Sequence, residues 1–348
     1  MPTIGPAALT LADWAKRIDD EGKIAEIINL LSQTNEILDD MLWVEGNLPT
    51  GHKTTIRTGL PSAYWRLLNQ GVPAGKSTTA QITETCGHLE TFSDIDEMLV
   101  ELAGDNKALR LSEELAFLEG MNQQMAQTIF YNNITSTPAA FMGLAPRYPS
   151  VLTTTAQTAN NVIDAGGVNS TNTSIWLVFW GPTSVHGIFP KGMKAGFQQI
   201  DLGKQQKIDG SGNVLYVWRS QFKWDAGIVV KDWRYAVRIA NIDVTQLSGG
   251  TPPNLINLMI RAIHRLPTQP ARAGNVQTSG QNGEPQLSLG RGAFYCNRAI
   301  STWLDIQALN KTNVLLRMEE FDGKAVTSFR GIPIRTCDQL LNTESRVV

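Results

Sequence analysis

The stretch DNKALRLSEELAFLEGMNQQMAQTIFY, residues 105–131, determines how the rest of the chain can be arranged. Its apolar residues recur at alternating intervals of three and four, which places them on one face of an α-helix. The predicted seam consists of Ala108, Leu111, Leu115, Leu118, Asn122, Met125 and Ile129, and Asp105 or Asn106 can cap its start. At 1.5 Å per residue the helix is about 40 Å long. Because its flanking charges do not pair consistently, as those of a coiled coil would, we predict that it lies along a sheet.

The segments that follow this helix have the patterns of β-strands. SIWLVFW and VLYVW are apolar runs, and in WRYAVRIA, residues 233–240, large apolar residues alternate with arginine and alanine. The alternation predicts a half-buried antiparallel strand. Helices are predicted from Pro253 to Leu266 and from about Arg291 to Leu309, and a final strand from Gly331 to Thr336. With mixed connections and no evident repeat, the fold class is α+β.

The sequence pattern before the long helix changes at about residue 44, from helical spacing to short runs separated by glycine and proline. Two helices are predicted ahead of that point, a short one from Thr10 to Gly22 and a longer one from Lys23 to Leu42. Residues 44–92 are punctuated by glycine and proline, and their runs KTTIRT and TTAQITET favour strand or extended structure. A later segment, residues 267–286, has almost no apolar content and predicts a mobile or functional surface loop.

Large apolar side chains lie in or beside the extended segment, where a hairpin alone cannot cover them. They are Trp43, Tyr64, Trp65, Leu67 and Leu68. An isolated two-stranded hairpin is at best marginally stable in water. Either the segment packs on its own domain or a neighbouring molecule covers it, and the composition leaves both arrangements open. Among the nine tryptophans, Trp43 and Trp65 are the better interface candidates, whereas most others are expected in the core.

The motif GVPAGKSTT, residues 71–79, resembles a nucleotide-binding P-loop but has the wrong spacing. Only three residues separate Gly71 from Gly75-Lys76-Ser77, where the P-loop requires four. A P-loop also follows a buried strand and opens a helix, and neither flank fits that pattern. We therefore predict a turn within the extended loop and no nucleotide site.

The remaining polar residues form no recognisable catalytic or metal-binding pattern. The four histidines are not spaced as common zinc ligands are. FSDIDEML, residues 92–99, resembles a capped helix start, and KIDGSGNVLYV, residues 207–217, departs from a calcium loop and favours a hairpin turn. Known catalytic motifs are also missing, although dispersed catalytic residues would escape such a search. We expect no catalytic residue, no cofactor and no metal.

Composition limits the classes of partner. The 348 residues carry a net charge of −2, which gives no overall attraction to nucleic acid or anionic membranes. Three scattered cysteines, Cys86, Cys296 and Cys337, favour reduced thiols in a cytosol. Neither a signal peptide nor a membrane span is evident, so a soluble protein is expected.

Several segments, in order, resemble the major capsid proteins of tailed phages with the Hong Kong 97 fold, and more closely the coat proteins of short-tailed phages of the epsilon-fifteen type. They are AYWRLLNQGVPAGKSTTAQITET, SDIDEML, STPAAFMGLAPRY, WGPTSVHGIFPKGMKAGFQQIDLG, FKWDAGIVVKDWRYAVRIANID and GIPIRTCDQLLNTES, within residues 63–345. The resemblance implies an icosahedral shell of hexamers and pentamers around a double-stranded DNA genome. The alternatives are an encapsulin-like compartment shell and a soluble enzyme with dispersed catalytic residues.

The resemblance also implies a division of the chain. Residues 1–43 would be an N-terminal arm and residues 44–92 an extended loop, the E-loop, that reaches over a neighbour. The peripheral domain would comprise residues 93–150 and 213–245 with the spine helix at 105–131. Residues 151–212 and 246–348 would be mainly the axial domain.

The partners implied by the resemblance are further copies of the chain, a portal, and scaffolding or decoration proteins, with DNA enclosed without sequence-specific binding and no membrane. The location would be the virion, after assembly in the cytoplasm of a host bacterium. Lys53, Trp43, Tyr64, Trp65, Leu67 and Leu68 are the candidate intersubunit contacts. Some members of the fold crosslink an E-loop lysine to an asparagine. Lys53 and Lys76 lie in the right region, but no partner asparagine can be assigned, so no crosslink is predicted.

Overall fold

The computed structural model describes residues 32–102, 106–209, 211–249, 252–267, 291–309, 316–321 and 324–348. The predicted helix from Thr10 to Gly22, most of the helix predicted from Lys23, and all but the first residue of the predicted loop 267–286 lie outside these residues. Within residues 32–42, helix is limited to Ile37–Asp40, so the prediction that helix continues to Leu42 is wrong. The physical reason is strand pairing just after the helix, because the Gly187 amide donates to the carbonyl of Leu42 at 2.8 Å and Trp43 pairs with Gly187.

The described strands form two large sheets and one hairpin. Their bounds are β1 Trp43–Glu45, β2 Gly51–Gly59, β3 Thr78–Thr85, β4 Gly87–Asp96, β5 Val162–Asp164, β6 Asn172–Phe179, β7 Val185–Phe189, β8 Phe197–Ile208, β9 Val214–Val230, β10 Ala236–Asp243, β11 Gly292–Cys296, β12 Leu316–Phe321, β13 Lys324–Phe329 and β14 Ile332–Thr336. The first sheet has the order β1-β7-β9-β4, and β8 also pairs with β9. The second sheet has the order β12-β13-β14-β11-β6-β10-β5. The hairpin is β2-β3.

The predicted long helix is present as Asn106–Tyr131 and packs on β4 and β9 of the first sheet. Its seam differs from the prediction in the N-terminal half, where Leu111 is 58% exposed and Leu115 is 53% exposed. Polar residues face the sheet there instead. Buried Glu114 accepts hydrogen bonds from the hydroxyl of Ser220 at 2.5 Å and from the amide of Gln199 at 2.7 Å. Hydrogen bonds to polar groups of the sheet therefore orient a polar face of the helix toward the sheet. The spacing of apolar residues alone could not predict this orientation.

The second sheet is covered on both faces, which corrects the prediction of a half-buried strand around residues 233–240. Every residue of β10 is buried, and residues 233–235 form a 3₁₀ turn before it. Alternate residues of β10 belong to two different hydrophobic clusters. Ala236 packs with the cluster that contains Phe130 of the long helix, and Val237 packs with the helix Leu255–Arg265. The strand therefore has hydrophobic cover on both faces, although it lies next to the edge strand β5.

Two boundaries differ from the sequence predictions for reasons of strand pairing, and one hairpin is additional. Residues 292–296 form β11, parallel to β14, so the helix predicted from about Arg291 begins only at Arg298. In FSDIDEML, residues 92–96 continue the ladder of β4 with β9, and the helix begins at Glu97 with the Asp96 carboxylate accepting the Met98 amide at 2.8 Å. The hairpin β12-β13 was not predicted.

Other predicted elements agree with the structure. The helix Leu255–Arg265 buries its predicted apolar face, and Ile332–Thr336 is the predicted final strand. The calcium-like segment is the turn between β8 and β9, where the carboxylate of Asp209 accepts the backbone amides of Ser211 and Asn213. The described cysteines are free thiols, and Cys296 and Cys337 are buried.

The C-terminal segment joins the long helix to the second sheet through one buried carboxylate. Glu344 forms an ion pair with Arg238 of β10 at 2.8 Å, and both side chains are about 5% exposed. Its two oxygens also accept hydrogen bonds from the hydroxyls of Tyr131 and Ser174, both at 2.5 Å. This places the end of the long helix, β6 and β10 around one charge.

Candidate interface formed by the extended loop

The extended loop, residues 51–85, consists of a regular hairpin and a long irregular tip. β2 and β3 pair in antiparallel register from Gly51 opposite Thr85 to Gly59 opposite Thr78. Residues 60–77 between them contain neither helix nor strand. The Gly75-Lys76-Ser77 motif lies in this tip, so it has neither the strand before it nor the helix after it that phosphate binding needs. The prediction of an extended loop is confirmed, but the predicted turn is not found in residues 71–77, and the nearest turn is at residues 68–69.

The base of the loop is fixed to the body of the subunit. Arg147 holds Glu84 of β3 through two parallel hydrogen bonds of 2.5 and 2.7 Å, and its guanidinium also donates to the carbonyls of Met142 and Ile228. Such bidentate, charge-assisted pairs are the stronger hydrogen bonds in proteins. The Cys86 amide donates to the Thr50 carbonyl at 2.9 Å. The hairpin is thus held at its root on several sides.

One glycine, Gly51, and one asparagine, Asn47, show why the root forms where it does. A Cβ at Gly51 would overlap the carbonyl of Glu84, so the close approach of the two strands requires glycine there. Asn47 donates to the carbonyl of Lys53 and accepts from its amide, both at 2.7 Å. The side chain of Asn47 therefore replaces a strand partner at the point where the hairpin leaves the first sheet.

The tip exposes a continuous set of large apolar side chains. Trp65 is fully exposed at 105%, and Leu68 is 89% exposed. Tyr64 and Leu67 are also exposed. These four predicted residues therefore lie together without cover from their own subunit. Sequence reasoning missed further exposed apolar residues of the tip, Leu60 and Val72, although the same signal, an apolar side chain in a Gly/Pro-punctuated loop, applies to them.

The other two predicted contact residues lie away from the tip. Trp43 is half-buried in β1, packs on the core, and lies 6.4 Å from the ring of Trp224. It also covers Gly187, where a Cβ would collide with the indole. Lys53 is exposed on β2 near the root. The structure therefore groups Tyr64, Trp65, Leu67 and Leu68, and separates Trp43 and Lys53 from them.

Histidines with opposite electrostatic environments flank the root. His186 of β7 is fully buried, its ring centroid lies 5.8 Å from that of His52, and burial with the nearby charge of Lys231 lowers the pKa of His186 to about 4. Neither ring nitrogen of His186 has a partner in good hydrogen-bond geometry. His88 instead contacts the carboxylates of Asp225 and Glu90, and the hydrogen bond to Asp225 raises its pKa.

The described part of the chain contains no recognisable metal site. There, no three His, Cys, Asp or Glu side chains come close enough together to bind a metal ion. None of the helices described has the length and apolar character needed to cross a bilayer. Burial raises the pKa of the Cys86 thiol to about 11, which makes it a poor nucleophile.

Comparison with known proteins adds independent information. A family model described as major capsid protein GP7 matches residues 19–348. A chain of the near-atomic resolution structure of bacteriophage Epsilon15 is 36% identical, with a TM-score of 0.75 and coverage of 100% of this chain and 99% of that chain. The comparison with curated proteins gave no match.

Two further solved structures show weaker similarity. The bacteriophage JBD30 capsid is 9% identical, covering 89% of this chain and 92% of that chain with a TM-score of 0.44. An encapsulin complex from Synechococcus elongatus PCC 7942 is 11% identical, covering 68% of this chain and 98% of that chain with a TM-score of 0.43. These two likenesses are too slight to carry an argument.

Proposed function

Since the chain belongs to the major capsid protein GP7 family, we propose that its extended loop is the contact through which copies of the chain cover one another in a closed shell. The resemblance to phage coat proteins inferred from sequence is confirmed by the Epsilon15 match. The observation that supports the role of the loop is its geometry. The root is fixed by Arg147 and Glu84, while Trp65 at the tip has no cover.

The energetics favour cover by a neighbour. An exposed tryptophan presents roughly 200 Å² of mostly apolar surface, and burying that area contributes about 4 kcal/mol before ordering costs. A contact worth about −4 kcal/mol corresponds to only millimolar affinity. Several such contacts per subunit act together once the geometry is closed, so the shell becomes strong while each contact remains reversible. We propose closure into hexamers and pentamers of an icosahedral shell.

The partners follow from the same role. We propose that the shell encloses double-stranded DNA without sequence-specific binding, that a portal completes it, and that scaffolding or decoration proteins assist it. The net charge of −2 is compatible with DNA that is confined but not gripped. The family is one of virion shell proteins, and we propose assembly in the host cytoplasm and no enzymatic activity.

We propose that the domains follow the sheets. The peripheral domain would contain the long helix with β4, β8 and β9, and the axial domain would contain the second sheet with its helices. Strand pairing supports this division. Under this proposal residues 197–208 would belong to the peripheral domain and residues 236–243 to the axial domain, whereas the sequence led us to expect the reverse at both places.

Electron microscopy tests the proposed function. The full chain, expressed alone or with its neighbouring genes, is expected to give closed shells of uniform diameter in negative stain. Compact oligomers of a few subunits would contradict the shell role. Extractable double-stranded DNA in native particles would support a virion, and particles that enclose a protein cargo would support the compartment alternative.

A further inference from the structure

An open apolar groove lies between the long helix and the edge strand β4. Its volume is about 430 Å³, and Leu89, Ala116, Phe117 and Met121 are among its lining side chains. Phe117 stacks on Phe222 of β9 with ring centroids 5.8 Å apart, so an aromatic pair supports this part of the lining. A groove of this size accommodates one large aromatic side chain, and its apolar lining is unfavourable in contact with water.

Gly120 indicates that the groove is kept open. It lies in the interior of the long helix, where glycine costs about 1 kcal/mol relative to alanine. A Cβ at this position would meet no atom within 4 Å, so the fold of the subunit does not need glycine there. The missing side chain instead leaves room along the groove that Gly120 helps to line.

The charges of the loop and of the body that carries the groove are opposite. Residues 51–85 contain four basic residues, Lys53, Arg57, Arg66 and Lys76, and one acidic residue, Glu84, which is paired with Arg147. The described residues 87–102, 106–131, 197–209 and 211–230 contain eleven Asp and Glu residues against six Lys and Arg residues. Glu113 lies on the groove itself. The net charge of −2 for the whole chain therefore conceals a basic loop and an acidic unit that carries the groove.

We propose that the groove between the long helix and β4 receives Trp65 from the extended loop of another copy of the chain, and that opposite charge steers the loop onto it. This inference rests on the proposed function and names the surface that the loop covers. An exposed tryptophan is the kind of residue that anchors an interface when it enters a well-packed pocket. Arg66, beside Trp65, approaches the acidic rim as the indole enters.

Site-specific photocrosslinking tests the docking. A photoreactive benzoylphenylalanine replaces Trp65 in a small fraction of full-length subunits, which co-assemble with unmodified ¹⁵N-labelled chain. After irradiation, mass spectrometry is expected to find crosslinks to residues 87–124, joined to the labelled partner. Crosslinks that map to other surfaces of the partner, or only within one chain, would overturn the groove assignment.

A matched pair of variants separates groove occupation from general damage. Gly120→Phe places an aromatic ring in the groove from a position where a Cβ has open space, whereas Leu115→Phe adds similar bulk on the opposite, exposed face of the same helix. Co-assembled with the photoreactive chain, the Gly120→Phe subunit is expected to lower crosslink yield about tenfold or more, which corresponds to the loss of one anchor contact. Leu115→Phe is expected to leave the yield unchanged. Equal yields for both variants would contradict the proposal.

Salt and charge reversal test the steering. Raising the salt concentration and Arg66→Glu are each expected to slow assembly severalfold, because exposed charges steer association and are screened by salt. Assembly rates insensitive to both would contradict the electrostatic part. If the unmodified chain forms no particles, the proposed function fails. If particles form but Trp65 crosslinks elsewhere, only the groove assignment fails.

Discussion

The buried carboxylate of Glu344 provides the sharpest test of how the subunit is held together. Glu344→Gln keeps the shape of the side chain but removes its charge. It leaves Arg238 buried without an anion and places an amide among hydroxyl donors from Tyr131 and Ser174. Removing one partner of a buried ion pair typically lowers the free energy of unfolding by roughly 3–5 kcal/mol, because the remaining charge stays desolvated.

The structure places the expected loss at the lower end of that range. Arg238 retains a hydrogen bond to the Tyr148 carbonyl at 3.1 Å and lies 5.3 Å from the ring centroid of Trp176. We therefore expect Glu344→Gln to lower the free energy of unfolding by about 3 kcal/mol. For a chain of this size the melting temperature should fall by about 5 °C.

The assay is urea denaturation of dissociated subunits, followed by tryptophan fluorescence, with calorimetry for the melting temperature. Glu97→Gln is the matched control, because the ion pair of Glu97 with Lys204 is partly exposed and such pairs contribute less than about 1 kcal/mol. The double variant Glu344→Leu with Arg238→Met should recover only part of the loss, since it removes the unpaired buried charge but leaves the hydroxyls of Tyr131 and Ser174 without this acceptor. A loss below about 1 kcal/mol for Glu344→Gln would refute the role of the carboxylate.

Three further predictions concern the loop and its root. Trp65→Asp should leave the subunit folded by circular dichroism but prevent particle formation in negative stain, whereas loss of folded subunit would place Trp65 in the core. The pKa of His186 is lowered to about 4 in the folded chain, below its unfolded value of 6.5. Its contribution to the free energy of unfolding is therefore complete above pH 6.5 and is lost as the pH falls toward 4, by at most about 3 kcal/mol. His186→Gln should reduce the difference between the urea midpoints at pH 7 and pH 4. Because the raised pKa of His88 acts equally in both proteins, an unchanged difference would count against His186 as the cause. Arg147→Lys should lose the bidentate contact with Glu84 and speed amide hydrogen exchange in β2 and β3 severalfold, and unchanged exchange would show that the pair does not fix the root.

Local patterns were sufficient for features set by nearby residues. The long helix, the helix Leu255–Arg265 and the two strands of the extended loop follow from periodicity, β-branched residues and turn residues. The exposure of Trp65 and its neighbours was one of two arrangements that the sequence left open, because composition does not tell whether a domain covers its own loop. The structure resolves this for the subunit, where the tip has no cover.

The failures arise from contacts between distant parts of the chain. Arg238 looked like the polar face of a half-buried strand, since its partner Glu344 lies more than one hundred residues away. The outward turn of Leu111 depends on Ser220 and Glu114 forming a polar contact across the helix and the sheet. The root pair of Arg147 with Glu84 likewise joins separate segments, and no local motif indicates it.

The most direct test of the account is the solvent accessibility of Trp65 before and after assembly, measured by hydroxyl-radical footprinting with mass spectrometry. Trp176, buried in the subunit core, serves as the internal reference. If the fixed root presents an uncovered tip to a neighbour, oxidation of Trp65 should be fast in dissociated subunits and about tenfold slower in closed particles, with Trp176 protected in both. Equal and rapid oxidation of Trp65 in both states would show that the tip is not the contact between copies.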